Sequence, residues 1–241
     1  MGRFYLDMEY TNGNFYLADI IEISLVAEKT AHEFHSYVTI PYRLPANVKA
    51  LTCITDEKLI ADGCSFYETM CALVDFISIE STDHPTIIAH GGYHHDFPIL
   101  FATCHKSGFQ DFHVFHQCTF VDSVQLLQDL GYKKPNLTAM CNALGLSRMT
   151  HSASKDAYLL KYICNRLHLI PTNGNGYSVL DINSYLCLKM PLAIPMIFQL
   201  MKQCTSSHQL KSLLLPYVWK KTALNAKQVD KISHVYFTYY H

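Results

Sequence analysis

Five residues of this chain have the types and spacing to do chemistry together: Asp7, Glu9, Asp96, His151 and Asp156. Asp7 and Glu9 stand two apart in "GRFYLDMEY", where residue character alternates, so both carboxylates leave one face of a strand about 6–7 Å apart along the backbone. Carboxylates this close repel. A covered sheet face tolerates them only with positive charge between them, whereas on a wet face they are ordinary surface charge. Asp156 falls on a helical wheel beside Ala153, Ala157 and Leu160, the seam that packs inward, so it points to a covered face. His151 lies in the segment leading into that helix, with Ser152 and Ser154 as candidate caps. Asp96 follows the apolar "TIIA" and opens a helix whose first turn carries Pro98. Ligand sites of α/β proteins form just past strand ends, although the helix dipole alone also favours an acid there.

Hard oxygen donors from three separate elements suit Mg²⁺ or Mn²⁺. Two such ions about 3.5–4 Å apart can activate water and stabilise a leaving 3′ oxygen in phosphodiester hydrolysis. Asp7 is then expected to bridge the ions, Glu9 and Asp156 to complete their shells, and Asp96 to bind directly or through water. His151, with an ordinary pKa of about 6.5, can deprotonate the attacking water at neutral pH; the plain alternative is a surface histidine.

These residues must be positioned by a definite set of elements. "GRFYLDMEY", "ADIIEISLVAE" and "HEFHSYVTI" are strand candidates forming an antiparallel meander, the first two joined by the turn-forming "TNGN". Thr55 caps a short helix and Ser65 a longer one ending near Ile79. "PTIIAHG" is a strand, "DFPILFATCHKSG" a helix closed by Gly108, and "HQCTFVDSVQLLQDLG" a strand running into a helix. "NLTAMCNALGL" and "SASKDAYLLKYICNRLHLI" complete the helices. The order gives a mixed sheet covered by helices. "TNGNG", residues 172–176, reads as a turn or linker, dividing residues 1–170 from a mainly helical extension over 171–241 that is helical to about Ala223 and ends in "HVYFTYYH".

Nineteen basic against twenty acidic residues leave a formal charge of -1, which argues against binding nucleic acid by bulk charge. Nine scattered cysteines without a CxxC pair, and no secretory segment, point to reduced thiols in a cytoplasmic or nuclear protein that is not secreted. The apolar "LCLKMPLAIPMIFQL" is broken by lysine and proline, so it reads as a buried helical hairpin and not as a membrane span. His90, His94 and His95, with His84 nearby, are a rival zinc set, but a glycine-containing loop prepositions them poorly for tetrahedral geometry.

The motifs resemble those of the DEDDh-type 3′-5′ exonucleases, a DnaQ-like family. "LDMEY" is similar to the first motif, "AHGGYHHDFPIL" to the second and "HSASKDAYLL" to the third, of form HxAxxD. "LTCIT", residues 51–55, resembles the family's LTGI(T) turn, and "VDSVQLL" the strand and helix before the third motif. The six-residue step from His90 to Asp96, followed by "FPIL", is closest to the TREX-like three-prime repair exonucleases. The resemblance spans about residues 3–165 and implies a ribonuclease-H-like mixed sheet with flanking helices, plus the C-terminal extension. It implies Asp7, Glu9, Asp96 and Asp156 as ligands of two Mg²⁺ or Mn²⁺ ions, His151 as base, and Met8 and Thr55 around the terminal nucleotide. Tyr93 is the best-placed ring for stacking on a terminal base. The expected reaction is hydrolysis of DNA or RNA from single-stranded 3′ ends, releasing nucleoside 5′-monophosphates. Three positions depart from the pattern: Gly91 replaces asparagine, His95 an aromatic residue and Cys53 the LTGI glycine. These changes, and the unmatched residues 172–241, support the alternative of a weak or inactive domain that binds nucleic acid or protein. The extension is suited to cover the core, or to contact a second copy or a protein partner.

Overall fold

Alternation in the first strand decides the layering. In the computed structural model, which describes residues 2–15, 17–81, 83–109, 111–146, 151–171, 174–189, 204–206 and 208–209, β1 runs Arg3–Tyr10. It pairs antiparallel with β2 (Ile20–Ala27), which pairs antiparallel with β3 (Glu33–Val38), giving the expected meander. Then come α1 (Ala46–Thr52), α2 (Asp56–Asp62), β4 (Gly63–Cys64), α3 (Phe66–Glu80), β5 (Thr86–Ala89) and α4 (Asp96–Ser107). They are followed by α5 (His113–Gln117), β6 (Thr119–Asp122), α6 (Ser123–Asp129), α7 (Leu137–Ala143), α8 (Ala153–Arg166), β7 (Gly176–Tyr177) and α9 (Val179–Lys189). Among the described residues the strands form one mixed sheet in the order β4-β3-β2-β1-β5-β6-β7.

Phe4, Leu6 and Met8 bury one face of β1 against Met70, Leu73 and Ile77 of α3 and Phe97 and Phe101 of α4. Tyr5 points the other way, into a cluster with Leu160 and Ile163 of α8 and Leu137 and Met140 of α7. Each such aliphatic side chain contributes about 1.5–3 kcal/mol through burial. The β1–β2 loop is pinned to α4 because Lys106 pairs with Asp19, whose carboxylate also accepts the Tyr42 hydroxyl.

Three caps read from sequence hold in detail, whereas Ser152 stands at the N-cap of α8 without a side-chain bond to its own helix. The Thr55 hydroxyl accepts from the Lys58 N–H, Ser65 and Glu68 form a reciprocal capping box, and Gly108 closes α4 in the left-handed conformation. The sequence reading lacks α1, whose last turn occupies the "LTCIT" segment. Its C-cap is Cys53 at φ 59°, ψ 13°, so the glycine of the LTGI pattern corresponds to a left-handed helix end. Cysteine holds that conformation at a steric cost of about 1–2 kcal/mol that glycine avoids.

The segment read as a linker does more than connect. Gly176 and Tyr177 add an antiparallel edge strand to β6, and Val179, Ile182 and Leu186 of α9 join the core beneath α4. Residues 176–186 are therefore continuous with the sheet and its core. The helical continuation toward Ala223, most of the apolar hairpin stretch and the terminal "HVYFTYYH" lie outside the described residues. Among the described residues no helix is long and apolar enough to cross a membrane, and Cys53, Cys64, Cys71, Cys104, Cys118, Cys141, Cys164 and Cys204 are free thiols.

Candidate active site

Strand lengths create the opening. Parallel pairing of β1 with β5 ends at Leu6 and Ala89, so Asp7 to Tyr10 continue with only β2 beside them. The chain leaves β5 through a turn over residues 90–95 and re-enters as α4 at Asp96. The space past the end of β5 is a cleft of about 300 Å³ lined by Asp7, Met8, Glu9, Tyr10, Leu51, His90, His95, Asp96 and His151. A site beyond the carboxyl end of a central parallel strand follows the general rule for such sheets.

Helix α8 supplies the remaining groups. Ala153, Ala157 and Leu160 are fully buried on the sheet, and Asp156, on the same seam, is 1% exposed. Glu9, His151 and Asp156 each offer a ligand atom, and these atoms lie within 4.8 Å of one another. Among the described residues this is the one grouping of acidic, histidine or cysteine side chains with the reach of a cation site. Two carboxylates and an imidazole converging there fit a divalent cation by donor chemistry. Asp7 and Asp96 stand outside that trio but line the same cleft, so all five expected residues are brought to one place.

The turn before Asp96 is built on backbone. Gly91 has φ 73°, a conformation that glycine and asparagine both adopt readily, which accounts for glycine where the pattern has asparagine. A Cβ on Gly92 would stand 2.7 Å from both Ala89 Cβ and the Phe97 ring. Buried Asp122 anchors this turn: its carboxylate accepts from the N–H groups of Gly91 at 2.9 Å and Tyr93 at 3.2 Å, and caps α6 through Val124 N–H at 2.9 Å. Sequence reasoning did not single out Asp122, because the turn that it anchors lies about thirty residues away and no local period marks it. Tyr10 was missed as well. Burial raises its hydroxyl pKa, and the charges of Asp96, Asp7 and Glu9 raise it further, which puts the ring within the field of three of the acids.

Other expectations fall elsewhere. Met8 lines the cleft, but Thr55 does not: its hydroxyl is engaged as the cap of α2, and Leu51 of α1 faces the cleft instead. Tyr93 stacks on Tyr177 with centroids 4.0 Å apart and leans on Tyr185 at 4.8 Å, so β7 and α9 occupy the ring proposed for base stacking. The zinc set disperses. His90 Nδ1 lies 2.9 Å from Ser123 Oγ, His94 Nδ1 lies 3.0 Å from the Tyr185 hydroxyl, and His95 is exposed at the start of α4.

Burial pushes the Asp96 carboxyl up to about 7; its own backbone N–H pulls the other way, and the charge of Asp122 adds to the rise. In the unfolded chain an aspartate releases its proton near pH 4. The metal-free folded protein holds this one to about pH 7, so its stability falls as pH rises through that window, by an amount on the order of a few kcal/mol. Thermal melts of metal-free protein between about pH 4 and 7 should therefore slope downward, and Asp96→Asn should flatten the slope. Equal slopes in the two proteins would refute this account of Asp96.

An exonuclease family model, RNase_T, matches residues 4–164. No curated protein sequence matches the chain. Among solved structures the chain is similar to cell-death related nuclease 4 (CRN-4), with 16% identity over 69% of this chain and 63% of that one and a TM-score of 0.59. It is also similar to a 3′-exonuclease solved in specific recognition of the 3′ end of a histone mRNA stem-loop, with 19% identity, 74% and 70% coverage and a TM-score of 0.60. A third similar structure is E. coli ExoI in a zinc-bound complex with single-stranded DNA, with 11% identity, 88% and 45% coverage and a TM-score of 0.58. The chain thus spans 63% of the length of CRN-4 and less than half of ExoI. At these identities the likeness establishes the fold, a ribonuclease-H-like mixed sheet with flanking helices.

Proposed function

The chain belongs to the RNase_T exonuclease family, and from that premise we propose that it removes nucleoside 5′-monophosphates from the 3′ ends of nucleic acid. The observation that carries the reading is the convergence of Glu9, His151 and Asp156 within 4.8 Å beside a cleft that also holds Asp7 and Asp96. In this reading Asp7, Glu9, Asp96 and Asp156 are the ligands of a pair of Mg²⁺ or Mn²⁺ ions. Bound there, the ions would neutralise charge on the phosphodiester and acidify the attacking water. His151 takes the proton of that water as the bond from phosphorus to the 3′ oxygen breaks, and the oxygen leaves on the shortened strand. Buried Met8 and exposed Leu51 both line the cleft, and in this reading they frame the terminal nucleotide. Thr55 and Tyr93 act indirectly, the first by ending the segment that presents Leu51 and the second by bracing the turn before Asp96.

Single-stranded 3′ ends are the proposed substrate, since a cleft of about 300 Å³ accommodates one nucleotide more readily than a duplex. The closer likeness to TREX-like enzymes belongs to this reading and rests on the second motif alone. A cytosolic or nuclear setting, where thiols stay reduced, fits the free cysteines.

The deciding experiment is a time course on 3′-labelled and 5′-labelled single-stranded and duplex DNA and RNA with Mg²⁺ or Mn²⁺. The expected result is immediate release of the 3′ label as mononucleotide and a ladder from the 5′-labelled strand, abolished by chelator. Immediate loss of a 5′ label, or no turnover on any substrate, would overturn the proposal.

A further inference from the structure

Another buried carboxylate near the site takes no part in the mechanism above. Glu22 is 1% exposed on β2, directly across from Glu9 in the β1–β2 register. Two acids side by side on a covered face are unfavourable unless each is satisfied. Glu22 is satisfied by groups from two other elements. His35 Nε2 on β3 lies 2.8 Å from its Oε1, and the Ala153 N–H at the start of α8 donates to its Oε2 at 3.0 Å. The Ser152 hydroxyl donates more weakly to Oε1 at 3.4 Å.

The N-cap residue of α8, Ser152, has extended backbone and does not cap the helix with its own side chain. A carboxylate from a neighbouring strand performs that task, favoured by the positive end of the helix dipole. What it holds matters for the site, because His151 immediately precedes the cap and Asp156 lies one turn beyond it. The Asp156 N–H donates to the Ser152 carbonyl at 2.9 Å, so the cap residue and the buried acid move together.

We propose that Glu22 is a positioning residue: braced by His35, its carboxylate fixes the first turn of α8 on the sheet and so sets His151 and Asp156 beside Glu9. Glu22 does not line the cleft and touches no reacting atom in this arrangement; it acts through Ala153 and Ser152. The inference rests on the proposed function only for its effect on turnover. The anchoring itself can be read in metal-free protein.

Reach, and not charge alone, is what the geometry requires. Glu22→Gln keeps the length and an oxygen that can accept from the Ala153 N–H. Glu22→Asp keeps the charge but is one methylene short of spanning His35 and α8. Hydrogen exchange of metal-free protein should be about tenfold faster over residues 151–158 in Glu22→Asp, the scale on which losing a helix cap acts. Exchange in β1 and β2 should be unchanged, and Glu22→Gln should stay within about threefold of wild type. On a 3′-labelled single strand, kcat should follow the same order, with Glu22→Asp losing about tenfold and KM holding. A simple buried ion pair with His35 predicts the reverse order, with Asp tolerated and Gln impaired. That reversal, or wild-type exchange in Glu22→Asp, overturns the proposal. Accelerated exchange with wild-type kcat removes the positioning role while leaving the exonuclease reading intact. An inactive wild-type protein overturns the exonuclease reading, and the exchange measurement still decides the anchoring.

Discussion

Asp7→Asn is expected to abolish Mg²⁺- or Mn²⁺-supported cleavage while leaving the fold intact. Asp7 is the first residue of β1 past the end of β5, half-buried, and it lines the cleft together with Glu9 of its own strand and Asp96 of α4. The amide is nearly the same size as the carboxylate, so packing is preserved, and removing one negative charge from an acidic cluster relieves repulsion. Metal-free Asp7→Asn should accordingly melt no lower than wild type. The amide binds hard divalent cations far more weakly than the carboxylate does. Residues that work as a unit fail together, so the expected loss is about 10³-fold or more in single-turnover release of the terminal mononucleotide. Cleavage retained by purified, folded Asp7→Asn would remove Asp7 from the site and favour a fold kept for binding.

His151→Ala carries the second large effect, a fall of about 10²- to 10⁴-fold in kcat, the usual weight of one general base. The structure adds a question that the motif alone does not raise. The His151 ring lies close enough to Glu9 and Asp156 to share a cation with them, so it could serve as base or as ligand. The two roles separate in a titration. A base leaves Mn²⁺ affinity within about threefold of wild type by calorimetry while turnover collapses, whereas a lost ligand weakens binding by about tenfold or more. The helix should be unharmed, because its start is held by Glu22 and its seam by Ala157 and Leu160. Unchanged kcat in the folded variant would exclude His151 from proton transfer.

How far the site was legible varies residue by residue. Asp156 is legible in the sequence, because one aspartate on a seam of Ala153, Ala157 and Leu160 has to face what the seam faces. Asp7 and Glu9 were legible for the same kind of reason, since period two puts them on the face opposite Phe4, Leu6 and Met8, which is the face that α8 covers. Tyr93 was misleading: an aromatic ring in a loop looks available until Tyr177 and Tyr185 are seen against it. Those partners come from β7 and α9, and a two-residue strand has no periodicity to detect. Glu22 was hidden differently, as one acid inside the apolar run of β2, with nothing nearby in sequence to show that its partner is the start of α8 some 130 residues later.

By itself the sequence determined the five longer strands of the sheet and most of its covering helices, the caps at Thr55, Ser65 and Gly108, and five candidate site residues. These are properties of short windows, governed by backbone sterics, side-chain period and local hydrogen bonding. Only the tertiary structure decided that β1 outruns β5 to open a cleft, that Leu51 and not Thr55 faces it, and that Glu22 and Asp122 hold the pieces in place. Those features depend on where strands end relative to one another and on bonds between distant segments. No window of sequence contains both partners of such a contact.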